Sequence, residues 1–314
     1  MQGVVLVTDY EWFTFLSRQP GLDEVNFWRP SDVRKPRQFV PGTPTIFKLK
    51  KRYGDWIVGF GVFARHDVLP LWWVWDTFGT KNGAGSLGEF RSRISALASE
   101  PGERKGRALD HLIGCLMLSQ PVFFDRESWI KPPADWPTHA VQGKAYDLTE
   151  GEGARVWDEC RAAALQYPAA ATGADFHADP RPRYGEGILV TPRLGQGTFR
   201  NAVTDAYGKS CAVSGEHSLP ALEAAHIRPY GDGGEHEIVN GLLLRSDIHR
   251  LFDRGYVGVT PDYRFMVSKH LRGDYSNGRS YDPFNGQLIA VPSRAEHRPD
   301  PAALEWHRSE VFRG

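Results

Sequence analysis

Three residues with usable chemistry stand close together in this chain: His226, Asn240 and His249. They lie in Glu223-Ala-Ala-His-Ile-Arg-Pro229 and, after the polar stretch Gly231-Asp-Gly-Gly-Glu-His236, in Asn240-Gly-Leu-Leu-Leu-Arg-Ser-Asp-Ile-His-Arg-Leu-Phe-Asp253. Glu223 to Ile227 reads as a short apolar strand with a histidine at its end, and Gly241-Leu-Leu-Leu as a second strand. Ser246 predicts an N-cap for a short helix that runs through Arg254 and is closed by Gly255. His249 and Asp253 are four apart and so project from one helix face. A strand-end imidazole, a loop amide and a helical His/Asp pair suit metal-dependent phosphodiester hydrolysis. One imidazole takes a proton from water, and a cation held by the helix polarises the phosphate.

An isolated histidine, or an Asn-Gly pair, is common in any protein; the joint pattern is not. From Cys211 to Lys269 it resembles the ββα-metal motif of HNH endonucleases. The resemblance implies that His226 is the general base, that Asn240 pins the loop between the strands, that His249 is a metal ligand and that Asp253 is a second ligand from the helix. Many relatives carry Asp or His as a ligand just before the base, where this chain has Ala225. A site with one nitrogen and one oxygen donor predicts a weakly held Mg²⁺, Mn²⁺ or Co²⁺, completed by water and DNA phosphate. Cys211-Ala-Val-Ser214 lacks the second cysteine of a CxxC pair, so no structural zinc is expected.

The 314 residues leave room for two domains, and 41% hydrophobic with 24% charged residues is the composition of a soluble globular protein. No apolar run approaches the roughly 20 residues that span a bilayer, and the N-terminus does not read as a signal peptide. Three scattered cysteines (Cys115, Cys160, Cys211) suit a reducing cytoplasm, the expected location. The formal net charge is zero, so any phosphate-binding surface must be local. Candidates are Lys48 to Arg52, Arg34 to Arg37, and Arg193 with Arg200.

Eight of the ten tryptophans precede residue 150, marking an N-terminal domain with its own aromatic core. A strand (Val4–Thr8) and an amphipathic helix (Tyr10–Arg18) are followed by a hairpin of Thr45–Lys50 and Trp56–Ala64 around Tyr53-Gly-Asp. Gly59 and Gly61 predict a bulge or a close backbone approach. Leu71–Phe78 and Ser86–Ala98 read as helices, and Leu109–Ser119 and Pro121–Phe124 as further apolar elements. Asn26-Phe-Trp-Arg-Pro30, Pro41 to Leu49 and Ile57 to Phe63 resemble the PUA superfamily, particularly the EVE-like domains fused to HNH nucleases, over residues 1 to 148. That resemblance implies an α+β protein: an N-terminal mixed β-barrel with helices, and a C-terminal ββα-metal domain. The barrel pocket of such domains receives a base rotated out of a duplex. Asn26 is placed to bond the base edge and Trp28, in a loop-like stretch flanked by Pro30, to stack on it, with Trp72, Trp73, Trp75 and Trp129 as further wall candidates. Each of these rings could instead fill a core.

The expected organisation is a reader over 1–150, a helix (Glu152–Gln166) with a Pro/Ala/Gly-rich linker over 151–187, and the nuclease over 188–314. Thr198–Tyr207 reads as an amphipathic helix packed behind the nuclease motif, and Pro301–Phe312 as a closing helix with Trp306 and His307 as packing residues. The expected function is a modification-dependent restriction endonuclease acting on double-stranded DNA near 5-methyl- or 5-hydroxymethylcytosine. A double-strand break by one site per chain favours a homodimer or paired binding. Two alternatives stay open: an HNH nuclease whose first domain reads phosphorothioate or RNA, and a non-catalytic nucleic-acid-binding protein with a degenerate nuclease fold.

Overall fold

The computed structural model describes residues 1–30, 39–97, 111–137, 143–167, 194–275 and 279–314. The basic run 34–37, Arg193 and the stretch 168–187 lie outside the described residues. The chain is a mixed α+β protein of two compact units, Met1–Gly195 and Gln196–Gly314.

The first unit is built on a six-stranded mixed sheet. Its strands are β1 (Gln2–Thr8), β2 (Glu24–Arg29), β3 (Pro44–Leu49), β4 (Ile57–Pro70), β5 (Leu112–Phe123) and β6 (Gly143–Asp147). They pair in the order β2-β5-β4-β3-β1-β6, parallel between β1 and β3 and antiparallel elsewhere. The central strands are apolar at nearly every position because both faces are covered. On one face Val4, Leu6, Phe47 and Phe63 pack with Trp12, Phe13 and Leu16 of helix α1 (Tyr10–Leu16). Asp9 caps that helix, accepting from the backbone N–H groups of Glu11 and Trp12. On the other face Val5, Ile46, Ile57 and Phe60 pack with Val156, Trp157, Cys160, Ala163 and Ala164 of a later helix. A third cluster joins α2 (Leu71–Phe78) and α3 (Leu87–Leu97) to Ile113, Cys115 and Met117 of β5.

That later helix, α4 (Gly151–Ala164), is the one the sequence assigned to the connecting stretch. It lies in the core of the first unit. Two further readings differ from the structure. Asn26 to Arg29 belong to an edge strand rather than a loop, pairing Asn26 with Met117 and Trp28 with Cys115. The apolar segments on either side of Gln120 form one strand, because the positive φ of Gln120 (51°) and a register shift against β4 absorb Pro121 at a bulge. Gly59 behaves as its sequence context predicts. Its φ is 155°, and an added Cβ would lie 2.2 Å from the Val122 carbonyl oxygen.

The second unit holds α5 (Gln196–Ala206), β7 (Leu222–His226), β8 (Gly241–Arg245), α6 (Ser246–Asp253), β9 (Val257–Val259), β10 (Phe265–Val267), α7 (Lys269–Tyr275) and α8 (Pro301–Glu310). β7 and β8 form an antiparallel hairpin with His226 opposite Gly241, and β9 and β10 form a second. No helix among the described residues is long and apolar enough to cross a membrane.

Candidate active site

The β7–β8 hairpin leads directly into α6, so two strand ends and one helix face present their side chains within a short span of chain. His226 ends β7 with its ring flat against Phe199 of α5, at 4.1 Å between centroids and 13° between planes. Its Nε2 lies 2.8 Å from Nδ1 of His236 in the connecting loop. His236 is itself stacked on Tyr230 at 5.2 Å and 8°. Burial pushes the His226 pKa down to about 4; the charges of His236 and His249 act the same way, and Asp253 opposes them.

A histidine held below its ordinary value of 6.5 favours folding most when neutral. Its contribution is therefore complete above pH 6.5 and is lost as the pH falls toward 4. The melting temperature of the wild type is expected to fall more steeply over that window than that of His226→Gln. Parallel curves in a pH series of thermal melts would refute the assignment.

Asn240 is buried and its side chain is fully used. Oδ1 accepts from the Arg228 N–H at 2.9 Å, and Nδ2 donates to the carbonyls of Arg228 and Glu235, both at 2.9 Å. Its own carbonyl accepts from Ile227 N–H at 2.9 Å. One residue thus ties the segment after His226 to the loop that carries His236.

On α6, His249 is held between two carboxylates: Nδ1 is 2.6 Å from Glu223 Oε2, and Nε2 is 3.4 Å from Asp253 Oδ2. Burial disfavours a charge there, but hydrogen bonds to Asp253 and Glu223 outweigh it and raise the His249 pKa. Among the described residues, no three His, Cys, Asp or Glu side chains are arranged as a metal-holding group.

The helix is anchored at both ends. Ser246 is its first residue rather than its cap; Arg245 takes that place without a side-chain cap bond. The Arg245 guanidinium instead grips Asp247 at 2.6 and 2.8 Å, and Tyr281 donates to Asp247 at 2.9 Å. Those bonds hold the Asp247 carboxyl down to about 2. At the other end Phe252 stacks on His307 of α8 at 3.7 Å and 8°. His307 Nε2 lies 3.0 Å from the Phe252 carbonyl oxygen, so that nitrogen carries the proton and donates. Gly255 closes the helix with φ 74°, and an added Cβ would lie 2.0 Å from the Val311 carbonyl oxygen. Gly255→Ala is expected to destabilise the second unit by about 1–3 kcal/mol and to weaken His249-dependent functions with it. Denaturant midpoints check the first point, and an unchanged midpoint would overturn it.

Residues 211–260 match the HNH endonuclease family model. Among solved structures the chain is similar to one titled "Modification dependent TagI restriction endonuclease". Identity is 17%, covering 92% of this chain and 75% of that one, with a TM-score of 0.29. No curated protein gives a significant match.

Within the HNH segment the structure brings His226 and Asn240 to one loop, and His249 and Asp253 to one helix face. Two residues escaped the sequence reading. Glu223 lies two positions before Ala225, hence on the same strand face by the period of two, and it reaches His249. His236 sat in a stretch that read as a polar, glycine-rich spacer. Cys211 Sγ accepts from the backbone N–H groups of Ser214 (3.4 Å) and Arg245 (3.3 Å), bracing the start of the segment against α6.

The base-pocket candidates of the first unit divide into separate groups. Asn26 is buried; its Nδ2 donates to Asn82 Oδ1 at 2.8 Å, and its Oδ1 has no hydrogen-bond partner. Trp28 donates from Nε1 to the Asn82 carbonyl at 2.9 Å and meets Phe90 edge-on at 5.3 Å. Asn82, which the sequence did not single out, joins the two. Trp73 is 3% exposed and belongs to the packing of α2, with Trp72 edge-on to it at 5.5 Å; Trp75 packs with Phe90. Trp129 stands apart, donating to the Phe124 carbonyl at 3.1 Å and packing against Phe13. Lys48 is not a surface phosphate contact, because it is 1% exposed and ion-paired with Asp55.

Proposed function

We propose that this protein is a restriction-type DNA endonuclease. Its HNH segment hydrolyses phosphodiester bonds, and its first unit reads a modified cytosine, 5-methyl or 5-hydroxymethyl, flipped from the duplex. The observation that carries the nuclease reading is His226: a neutral imidazole, flat on Phe199, with its Nδ1 edge free of protein hydrogen bonds among the described residues. Such a ring takes the proton of a water that attacks phosphorus. Asn240 fixes the loop that presents it.

His249 and Asp253, four apart on one helix face, offer one nitrogen and one oxygen donor, a pair whose chemistry fits a hard divalent cation such as Mg²⁺ or Mn²⁺ completed by water and phosphate. These are the residues that would hold it, while Glu223, bonded to the opposite ring nitrogen, orients the His249 ring. When bound, the ion supplies charge stabilisation for the phosphate and the leaving oxygen.

The reader is supported by Asn26, whose buried Oδ1 lacks a partner, an uncommon and costly state for a buried amide. Trp28 lies two residues on, on the same strand face. The mixed sheet, with bulges in its two longest strands, suits a PUA/EVE-like barrel, and one site per chain implies paired copies for a double-strand break.

The test is one plasmid prepared with cytosine, 5-methylcytosine, 5-hydroxymethylcytosine or glucosylated cytosine, incubated with Mg²⁺ or Mn²⁺. Cutting of the methylated or hydroxymethylated forms over plain DNA is expected. Trp28→Ala should lower binding of the modified duplex by about 1–3 kcal/mol if the ring stacks on the base. Equal cutting of all four forms would leave an unselective nuclease, and no cutting of any would leave a binding protein.

A further inference from the structure

We propose that His236 is the proton partner of His226: it fixes the tautomer that leaves Nδ1 of His226 bare and accepts the Nε2 proton when Nδ1 takes one from water. The inference rests on the reading of His226 as general base. Three observations carry it. The Nε2 to Nδ1 separation of 2.8 Å allows one shared proton between the rings, so one nitrogen donates and the other accepts. Both rings are held flat, His226 on Phe199 and His236 on Tyr230, so neither turns away from the contact without losing its stack. Nδ1 of His226 has no protein hydrogen bond among the described residues, whereas Nε2 is already engaged.

The step balances. Water loses a proton to Nδ1 of His226 as its oxygen attacks phosphorus. The Nε2 proton of His226 passes to Nδ1 of His236, which becomes the imidazolium, and His226 ends neutral. On reset the Nδ1 proton of His236 returns to Nε2 of His226, and Nδ1 of His226 releases its proton to solvent, which restores both starting tautomers. The advantage is electrostatic: His226 sits where burial disfavours a positive ring, and the positive charge of His249 disfavours it further, with Asp253 alone opposing. His236 lies on the loop, half-buried, with Tyr230 and Phe199 as its aromatic neighbours.

The first experiment needs no substitution. Imidazole ¹⁵N spectra of the full-length protein at neutral pH should show His226 protonated on Nε2 and bare on Nδ1; the opposite tautomer overturns the proposal. The second compares two variants. His236→Ala should lower the plateau rate by about tenfold or more and, in the same ¹⁵N spectra, remove the preference of His226 for the Nε2–H tautomer. His236→Asn keeps an acceptor for Nε2–H but cannot take up the proton, so it should restore the tautomer while recovering only part of the rate. An unchanged tautomer and rate in His236→Ala overturns the proposal, since a merely structural loss lowers the rate without a tautomer that the acceptor variant restores. Full activity in His226→Ala would instead remove the reading of His226 as the general base. Loss of activity there, together with the wrong tautomer in the wild type, would remove only the role of His236.

Discussion

His226→Ala is expected to lower the single-turnover rate of plasmid nicking by about 10²–10⁴-fold, the usual contribution of a positioned base, while the fold survives. The side chain donates nothing to the backbone ladder. Its removal costs the stack on Phe199 and the bond to His236 but leaves the β7–β8 pairing and the Asn240 bonds in place. His249→Ala should also lose activity, together with affinity for Mn²⁺ measured by calorimetry, a readout that His226→Ala should leave unchanged. Asn240→Ala is a different kind of loss. It strands the N–H of Arg228 and two carbonyls, each costing about 1–3 kcal/mol where buried, so its defect should appear in the melting curve as well as in the rate. Near wild-type nicking by His226→Ala with the same metal would end the assignment of the base.

A fragment ending at residue 150 is expected not to fold cooperatively, whereas 1–195 should. Without α4, one whole face of the sheet loses its cover: Val5, Ile46, Ile57 and Phe60 would meet water where Val156, Trp157 and Cys160 now stand. The Trp157 ring alone meets Phe60 edge-on at 5.1 Å. Exposing large apolar side chains costs about 1.5–3 kcal/mol each, and a handful of them equals the whole stability of an ordinary domain, about 5–15 kcal/mol. Near-ultraviolet circular dichroism and denaturant titration of the two fragments provide the comparison. A sharp unfolding transition in 1–150 would show that the helix is dispensable.

The helix boundary shows what the sequence concealed. Val156, Trp157, Cys160, Ala163 and Ala164 fall at the spacing of one helical stripe, and that stripe demanded a core. The Pro/Ala/Gly-rich stretch that follows drew the helix into the linker instead. Trp28 was misplaced for a similar local reason: Pro30 suggested a loop, while pairing with β5 decided for a strand. The segment that matches the HNH endonuclease model was far more legible, because its strand–loop–strand–helix order is set by turn chemistry and apolar runs within a short span. What spacing does not encode there is the reach of side chains across the hairpin. Glu223 reaching His249, and His236 reaching His226, are tertiary contacts that no local rule announces.

The stack of His307 on Phe252 has a consequence in time. The two residues stand 55 apart in sequence, and Gly255 accepts a backbone bond from Arg313 at 2.9 Å, farther on still. During synthesis, at about 5–20 residues per second, α6 leaves the ribosome seconds before the helix that buttresses its end. His249 and Asp253 therefore acquire their final support only after a delay set by chain order. On the proposed nuclease reading, that interval keeps the site incomplete until well after the first unit has been made.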